Sequence, residues 1–266
     1  MRIIDETHTP HTGKVIDAFA KEEWLCRRTG NGEGPPLLYL WRHKRAFVLG
    51  LRDSKLPYAP QVMEQMERDG ISTAVRHSGG AAVPLDEGVV NVSLITPKPR
   101  GRIDFHDDFR LMFGLVRSAI ERLAPHLPQP VECGEVVGSY CPGDFDMSIG
   151  GRKFCGLAQR RQIGAISVQA FVLVEQQGEA RMRWALDFYQ AAANEATRSF
   201  HPPVRSGTMA SLAELVDASV TVEAFVNALK EECRQRFLIT DEKEQADVPF
   251  EEVIRIRNEL ERRYKP

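Results

Sequence analysis

The chain has 266 residues, 42% of them apolar and 27% charged, the balance of a globular protein able to bury a full core. Its 35 basic and 37 acidic side chains nearly cancel, which gives no reason to expect nucleic-acid binding, and no apolar run approaches the ~18 residues of a membrane span. Five cysteines at irregular spacings, without a C-x-x-C pair, argue against a disulfide framework or a zinc site. With no signal-peptide core after Met1, free thiols in a reducing cytoplasm are the expectation.

Val15 to Arg28 sets Val15, Ile16, Phe19, Ala20 and Leu25 near helical spacing and predicts an amphipathic first helix. The Gly- and Pro-rich run from Gly30 to Pro36 ends it in a loop. Leu37–Trp41 and Ala46–Gly50 are apolar runs of strand length separated by Arg42–Arg45, which predicts a hairpin. A helix over Pro60–Asp69 stops at Gly70, and strands follow at Ile71–Val75 and Val89–Ile95. Between them Arg76 to Val83 is a glycine-containing turn and its exit. Pro97–Arg102 is a loop carrying Lys98, Arg100 and Arg102, and Asp107–Ala124 is a helix whose Phe109, Met112, Phe113, Val116 and Ile120 form one apolar stripe. Pro125, Pro128 and Pro130 end it. Asp146–Ile149, Gly150-Gly151 and Arg152–Phe154 predict a strand, a Gly-Gly hairpin turn and a second strand. Ala165–Val174 is the best central strand, and the remainder turns helical at Arg181–Ala193, Thr208–Val216, Val222–Phe237 and Phe250–Tyr264. A β-rich middle flanked by helices, without an internal repeat or a long linker, predicts an α+β fold. Residues 1–266 then form a single domain on which the C-terminal helices pack.

The most informative stretch is Gly138-Ser139-Tyr140-Cys141-Pro142-Gly143-Asp144-Phe145-Asp146. Its glycines and proline hold one cysteine on a turn, where it can face a cleft, and the hairpin that follows can bring Lys153 back beside the sulfur. A turn cysteine reads equally as structural or reactive from spacing alone; a neighbouring cation favours the thiolate, which is the nucleophile. The ordinary reading of Lys153 is a solvated strand residue. Cys155, two residues on, should point to the same side as Lys153 and ranks second as nucleophile, with a packed thiol the simpler reading. Cys26 and Cys233 fall in helical patterns and read as passive. In Arg76-His77-Ser78-Gly79-Gly80-Ala81, paired glycines let a ligand approach the backbone, although a plain β-turn accounts for them equally. His77 is a candidate acid or base, or simply an exposed turn residue, and Asp86, Asp144 and Asp146 are turn residues by default. No grouping has metal-ligand spacing.

The segment Arg76 to Val83, with Asp86 and Asn91-Val92-Ser93-Leu94-Ile95, resembles the R-x-S-G-G-G-A-V…D…N-x-S pattern of the biotin/lipoate protein ligase superfamily. Gly138 to Ile149 with Lys153 and Gly156–Arg161 resembles its lipoyl-amidotransferase branch. That resemblance covers roughly residues 70 to 175. It implies β-sheets packed with helices around an acyl-chain tunnel, and octanoyl transfer from the glycine-cleavage H protein to lipoyl domains of 2-oxoacid dehydrogenase E2 subunits. It also implies a thioester on Cys141, with Lys153 activating the sulfur and relaying protons, and substrate binding by Arg76, His77, Ser78, Gly79, Gly80 and Ala81. On this reading Gly79 to Ala82 floor the tunnel, Arg160, Arg161 and Arg76 meet an acidic carrier face, and no cofactor or metal takes part. Ala81, where ATP-using ligases carry a third glycine, and Pro84-Leu85-Asp86, where they often carry an aromatic and His-Asp, weigh against adenylate formation. The other readings are an octanoyl transferase supplied by acyl carrier protein, an ATP-dependent lipoate ligase, and a noncatalytic protein that binds lipoyl domains.

Overall fold

The structure, a computed structural model, describes residues 1–98, 105–162 and 164–264, so Arg100 and Arg102 of the predicted loop lie outside the described residues. Eight strands make the main sheet: β1 (Arg2–His11), β2 (Leu37–His43), β6 (Val89–Pro97), β7 (Val131–Cys133), β8 (Met147–Ile149), β9 (Arg152–Arg161), β10 (Ala165–Leu173) and β11 (Asp241–Lys243). Their order is β11-β1-β2-β6-β10-β9-β8-β7. β1 runs parallel to β11 and β2, and the other pairings are antiparallel. A smaller sheet, β4-β3-β5, contains β3 (Arg45–Leu49), β4 (Ser72–Val75) and β5 (Val83–Asp86). The helices are α1 (Val15–Gly30), α2 (Ala59–Arg68), α3 (Phe105–Leu123), α4 (Gly178–Ala192), the single turn α5 (Leu212–Leu215), α6 (Val222–Arg236) and α7 (Phe250–Arg263).

The layers follow from the strand patterns. In β10 the alternate residues Ile166, Val168, Ala170 and Val172 face a core closed by Met112, Val116 and Ile120 of α3 and by Phe225 and Leu229 of α6. Ala165, Phe171 and Leu173 face the opposite core, shared with α1, the small sheet and Val253, Ile256 and Leu260 of α7. A strand apolar on both faces has to lie between two layers, which explains the unbroken apolar run. Phe47 and Leu49 of β3 then bury a third cluster against Leu56, Met66 and Phe188, which places α2 and α4 outside the small sheet. The α+β class expected from the pattern is the architecture observed.

Two local expectations are corrected. β2 and β3 do not form a hairpin: β2 lies between β1 and β6 in the large sheet, and β3 is the centre of the small one. Both runs are buried on both faces, so each has to lie in a sheet packed between two layers, which an exposed two-stranded hairpin does not supply. Of the predicted helix Thr208–Val216, only Leu212–Leu215 is helical. Thr208 to Ala210 are instead extended against Lys153, whose N–H donates to Thr208 O at 2.8 Å and whose carbonyl accepts from Ala210 N at 3.0 Å. The first strand, β1, went unread because its Asp5, Glu6 and Thr7 are polar yet buried.

Candidate active site

The cysteine turn is shaped by backbone conformations that few residue types adopt. Gly138 has φ +91°, and Cys141 itself has φ +48°, a left-handed conformation uncommon outside glycine and one that concentrates at functional positions. The turn is tied down by Gly138 O, which accepts from Arg205 N at 2.7 Å and from Thr208 Oγ1 at 3.0 Å. After it, the hairpin expected at Gly150-Gly151 forms between β8 and β9, with φ +58° and +73°, the pair of left-handed residues that a tight two-residue turn requires. The hairpin carries Lys153 beneath the cysteine, fully buried. Three oxygens stand within 3.0 Å of its ammonium, as many as it has hydrogens: Tyr140 O at 3.0 Å, Cys141 O at 2.5 Å and Asp146 Oδ1 at 2.8 Å. Asp146 is itself only 1% exposed. Burial pushes its carboxyl up, and the Lys153 ammonium opposes that rise.

The group that touches the sulfur comes from the other motif. Arg76, which follows β4, donates through Nη2 to Cys141 Sγ at 3.0 Å, and the Ala81 backbone N–H points at the same sulfur from 3.3 Å. The same Nη2 also reaches the carbonyl of Ala81. Gly80, with φ +99°, is glycine for two reasons: its backbone is left-handed, and a Cβ there would stand 2.5 Å from Arg76 Nη2 and 2.8 Å from Cys141 Sγ. The loop is held from behind by Ala82 N, which donates to Tyr189 OH at 3.3 Å, while that hydroxyl donates to Asp53 Oδ1 at 3.0 Å.

The other expected residues are placed as follows. His77 is buried rather than exposed, between Phe19 and Tyr264. Burial, with Arg160, Arg263, Arg27 and Arg76 nearby, holds its imidazole far below the usual histidine range, so the ring is neutral. Ser78 is half-buried, and Gly79 and Gly80 are exposed, Gly80 beside the sulfur. Gly79 to Ala82 do not floor a tunnel. Gly80 and Ala81 stand at the sulfur instead, and the cleft that opens there is walled by Phe19, Trp41, Val83, Leu85, Ala158 and Phe171. The space open to a water molecule's centre in it is about 40 Å³, which makes it a slot rather than a chamber. Arg160 is committed to Glu23, at 2.9 Å, and to the His77 carbonyl, at 2.9 Å; Arg161 pairs with Asp108 at 3.1 Å. Cys155 does not share a side with Lys153. A register shift on β8–β9, where Met147 faces Cys155 and Ser148 faces Lys153, turns Cys155 into the α3/α6 core. Burial pushes its thiol up, and it pushes those of Cys26 and Cys233 up to about 12.

Sequence reasoning missed three contributors. Asp146, taken for a turn residue, is the ion partner of Lys153; its place at the head of a predicted strand was the available signal. Arg181, buried under the Asp86 turn, grips that carboxylate through Nε at 2.7 Å and Nη2 at 2.6 Å. Glu22 of α1 is fully buried at the cleft and accepts from Ser93 Oγ at 2.8 Å, Ser167 Oγ at 2.6 Å and Gln169 Nε2 at 2.6 Å. Burial raises its carboxyl despite these bonds. Among the described residues no three His, Cys, Asp or Glu side chains gather so as to hold a metal, and no helix is long and apolar enough to cross a membrane.

A cysteine on a strained turn, touched by a cation and a backbone N–H at the mouth of a narrow slot, is the arrangement of a thiol nucleophile for a slender substrate. The lipoyl protein ligase A/B catalytic domain matches residues 14–234, and the chain belongs to that family. It is 42% identical over 232 residues to the octanoyl-[GcvH]:protein N-octanoyltransferase of Anoxybacillus flavithermus, across 86% of this chain and 82% of that one. To the protein of the same name from Bacillus velezensis it is 39% identical over 237 residues, across 88% and 81% of the two chains. Its fold is similar to the crystal structure of lipoate-protein ligase A bound with ATP, with a TM-score of 0.68 at 21% identity over 100% of this chain and 96% of that one.

Proposed function

We propose that this protein is an acyltransferase of protein lipoylation. It moves an octanoyl group from the lysine of octanoylated glycine-cleavage H protein to lysines of lipoyl domains in 2-oxoacid dehydrogenase E2 subunits, through a thioester on Cys141. In the first step Sγ attacks the amide carbonyl, the C–S bond forms, the C–N bond to the donor lysine breaks, and the departing amine takes up a proton. In the second step the acceptor amine attacks the thioester carbonyl, a C–N bond forms, the amine gives up a proton, and the thiolate leaves. One amide replaces another, so the task is kinetic and calls for no adenylate; the thiolate divides it into two easier steps. The observation that carries this reading is the Cys141 sulfur held between Arg76 and the Ala81 N–H at the slot's mouth.

The slot's largely apolar walls support an acyl chain as the transferred group. Tyr140, beside the nucleophile, stacks on Phe171 of β10, and Gln169 and Ser167 of the same strand bond Glu22. Lys153 fixes the carbonyls of Tyr140 and Cys141 and is the second residue assigned to catalysis; to relay a proton it has to release one of its three oxygens. The whole chain acts as one domain, in the cytoplasm. The test mixes purified octanoylated H protein with an unmodified lipoyl domain in the absence of ATP. The expected outcome is octanoylation of the lipoyl domain, slowed about 10³-fold or more in Cys141→Ala. Transfer by Cys141→Ala at the wild-type rate, or transfer only with ATP, overturns the proposal, and faster transfer from octanoyl-acyl carrier protein reassigns the donor.

A further inference from the structure

The backbone that presents the Ala81 N–H to the sulfur hangs between two strands. It runs from Arg76, just past β4, to Ala82, just ahead of β5, and its Gly79 and Gly80 are exposed. A glycine pair leaves such a segment free to swing unless both ends are tied. The first end is tied by Arg76 N, which donates to Leu49 O at 2.9 Å. The second end lies outside the sheet, because the β3–β5 register stops at Val48 and Val83, one residue short of Ala82. Its N–H is taken instead by the Tyr189 hydroxyl of α4, at 3.3 Å and from 107 residues away. That hydroxyl is aimed by a third group. Tyr189 OH donates to Asp53 Oδ1 at 3.0 Å, and Gly50 N donates to Oδ2 at 2.8 Å, so both carboxylate oxygens accept. With its proton committed to Asp53, the hydroxyl has a lone pair left for Ala82 N. Tyr189 and Asp53 are buried, and the tyrosine ring stacks on His201 with centroids 4.6 Å apart and meets Phe188 edge-on at 5.3 Å. Gly50 itself lies against the loop: a Cβ there would collide with Gly80 O and stand 3.0 Å from Ala81 Cα.

We propose that Tyr189 and Asp53 are positioning residues for acyl transfer, which hold the backbone of residues 79–82 so that the Ala81 N–H stays on the nucleophile. The inference rests on the acyl-transfer reading for its purpose. An N–H at the sulfur is placed to meet the negative charge that develops on an acyl carbonyl bonding there, and such a donor works only when it is fixed beforehand. Phenylalanine in place of Tyr189 would keep both ring contacts. What it would lose is the bond to the loop and the bond to Asp53.

The test compares wild type, Tyr189→Phe and Asp53→Asn as full chains. Hydrogen exchange of the peptide covering residues 77–83, read by mass spectrometry, reports on the loop without any donor. The kcat and KM for octanoylated H protein report the consequence for transfer. In Tyr189→Phe that peptide is expected to exchange about tenfold faster, with peptides of β10 unchanged. Its kcat is expected to fall about tenfold or more, with KM within about twofold of wild type. Asp53→Asn offers one acceptor oxygen where two are used, so it is expected to fall between, and it carries the test if Tyr189→Phe does not fold. Unchanged exchange in the loop, or unchanged kcat beside faster exchange, overturns the proposal. A raised KM at wild-type kcat overturns it too, as does exchange in β10 that rises as much as in the loop, the mark of a merely structural role. If wild type transfers nothing from H protein, the acyl-transfer reading fails. The rate comparison is then made on the nitrophenolate burst from p-nitrophenyl octanoate, which acylates a thiol without a carrier protein, and an equal burst in Tyr189→Phe overturns the positioning role.

Discussion

On the face covered by α3 and α6, the large sheet presents Leu38, Leu40, Val90, Val92, Leu94, Ile166, Val168 and Val172, an apolar surface closed by two helices. On the other face the same strands present Trp41, Asn91, Ser93, Ser167, Gln169 and Phe171 toward α1, Glu22 and the cysteine turn. Asn91 Nδ2 and Trp41 Nε1 are buried there without a hydrogen-bond partner among the described residues. The first face holds the fold together, and the second leaves polar groups and a slot where apolar packing would be more stable. Such local departures from good packing are where function is expected. The contrast extends to the cysteines, since Cys155 and Cys233 on the closed face are packed thiols and Cys141 on the open face meets a cation.

The contrast can be broken at three points, from the largest effect to the smallest. Lys153→Met strips the ion pair beneath the nucleophile and leaves the Asp146 carboxylate buried and alone, which costs about 3–5 kcal/mol. Urea unfolding is expected to show that loss, and transfer is expected to fall with it; an unchanged midpoint contradicts the strut assigned to Lys153. Gly80→Ala forces a side chain into a left-handed position between Arg76 and Cys141, at about 1–3 kcal/mol. It is expected to slow acylation of Cys141 at a temperature where the variant stays folded, whereas equal activity contradicts the contact. Glu22→Gln has the smallest effect, and it depends on pH. Burial raises the Glu22 carboxyl above the ordinary 4.5, so its share of stability is whole below 4.5 and is lost as pH rises through the folded-state value. Glutamine imitates the protonated form, so the melting temperature of Glu22→Gln is expected to gain on wild type as pH rises above 4.5. Parallel curves contradict a raised Glu22 carboxyl.

What could be read in advance was local. The Gly150-Gly151 hairpin, the apolar run of β10, the stripe on α3 and the cysteine turn each declare themselves within a dozen residues. What stayed hidden depended on partners far along the chain. Arg76 and Cys141 are 65 residues apart, and Lys230 bonds Asp5 across 225. β1 is the clearest case. Asp5, Glu6 and Thr7 look like a solvated terminus until Lys230, Lys21 and Tyr39 are seen to satisfy them inside the protein. Lys153 was found by its position and misjudged in its contacts, because the bond to the Cys141 carbonyl and the pairing with Asp146 follow from how the turn closes. The resemblance supplied octanoyl as the substrate, and the geometry adds Arg76, whose Nη2 lies 3.0 Å from the sulfur, to the surroundings of Cys141.

The central claim is that Cys141 carries the acyl group between donor and acceptor, and intact mass of the protein after mixing with octanoylated H protein tests it most directly. One octanoyl adduct is expected, removed by hydroxylamine and missing in Cys141→Ala. Wild-type protein that stays unmodified while transfer to the lipoyl domain proceeds contradicts the account.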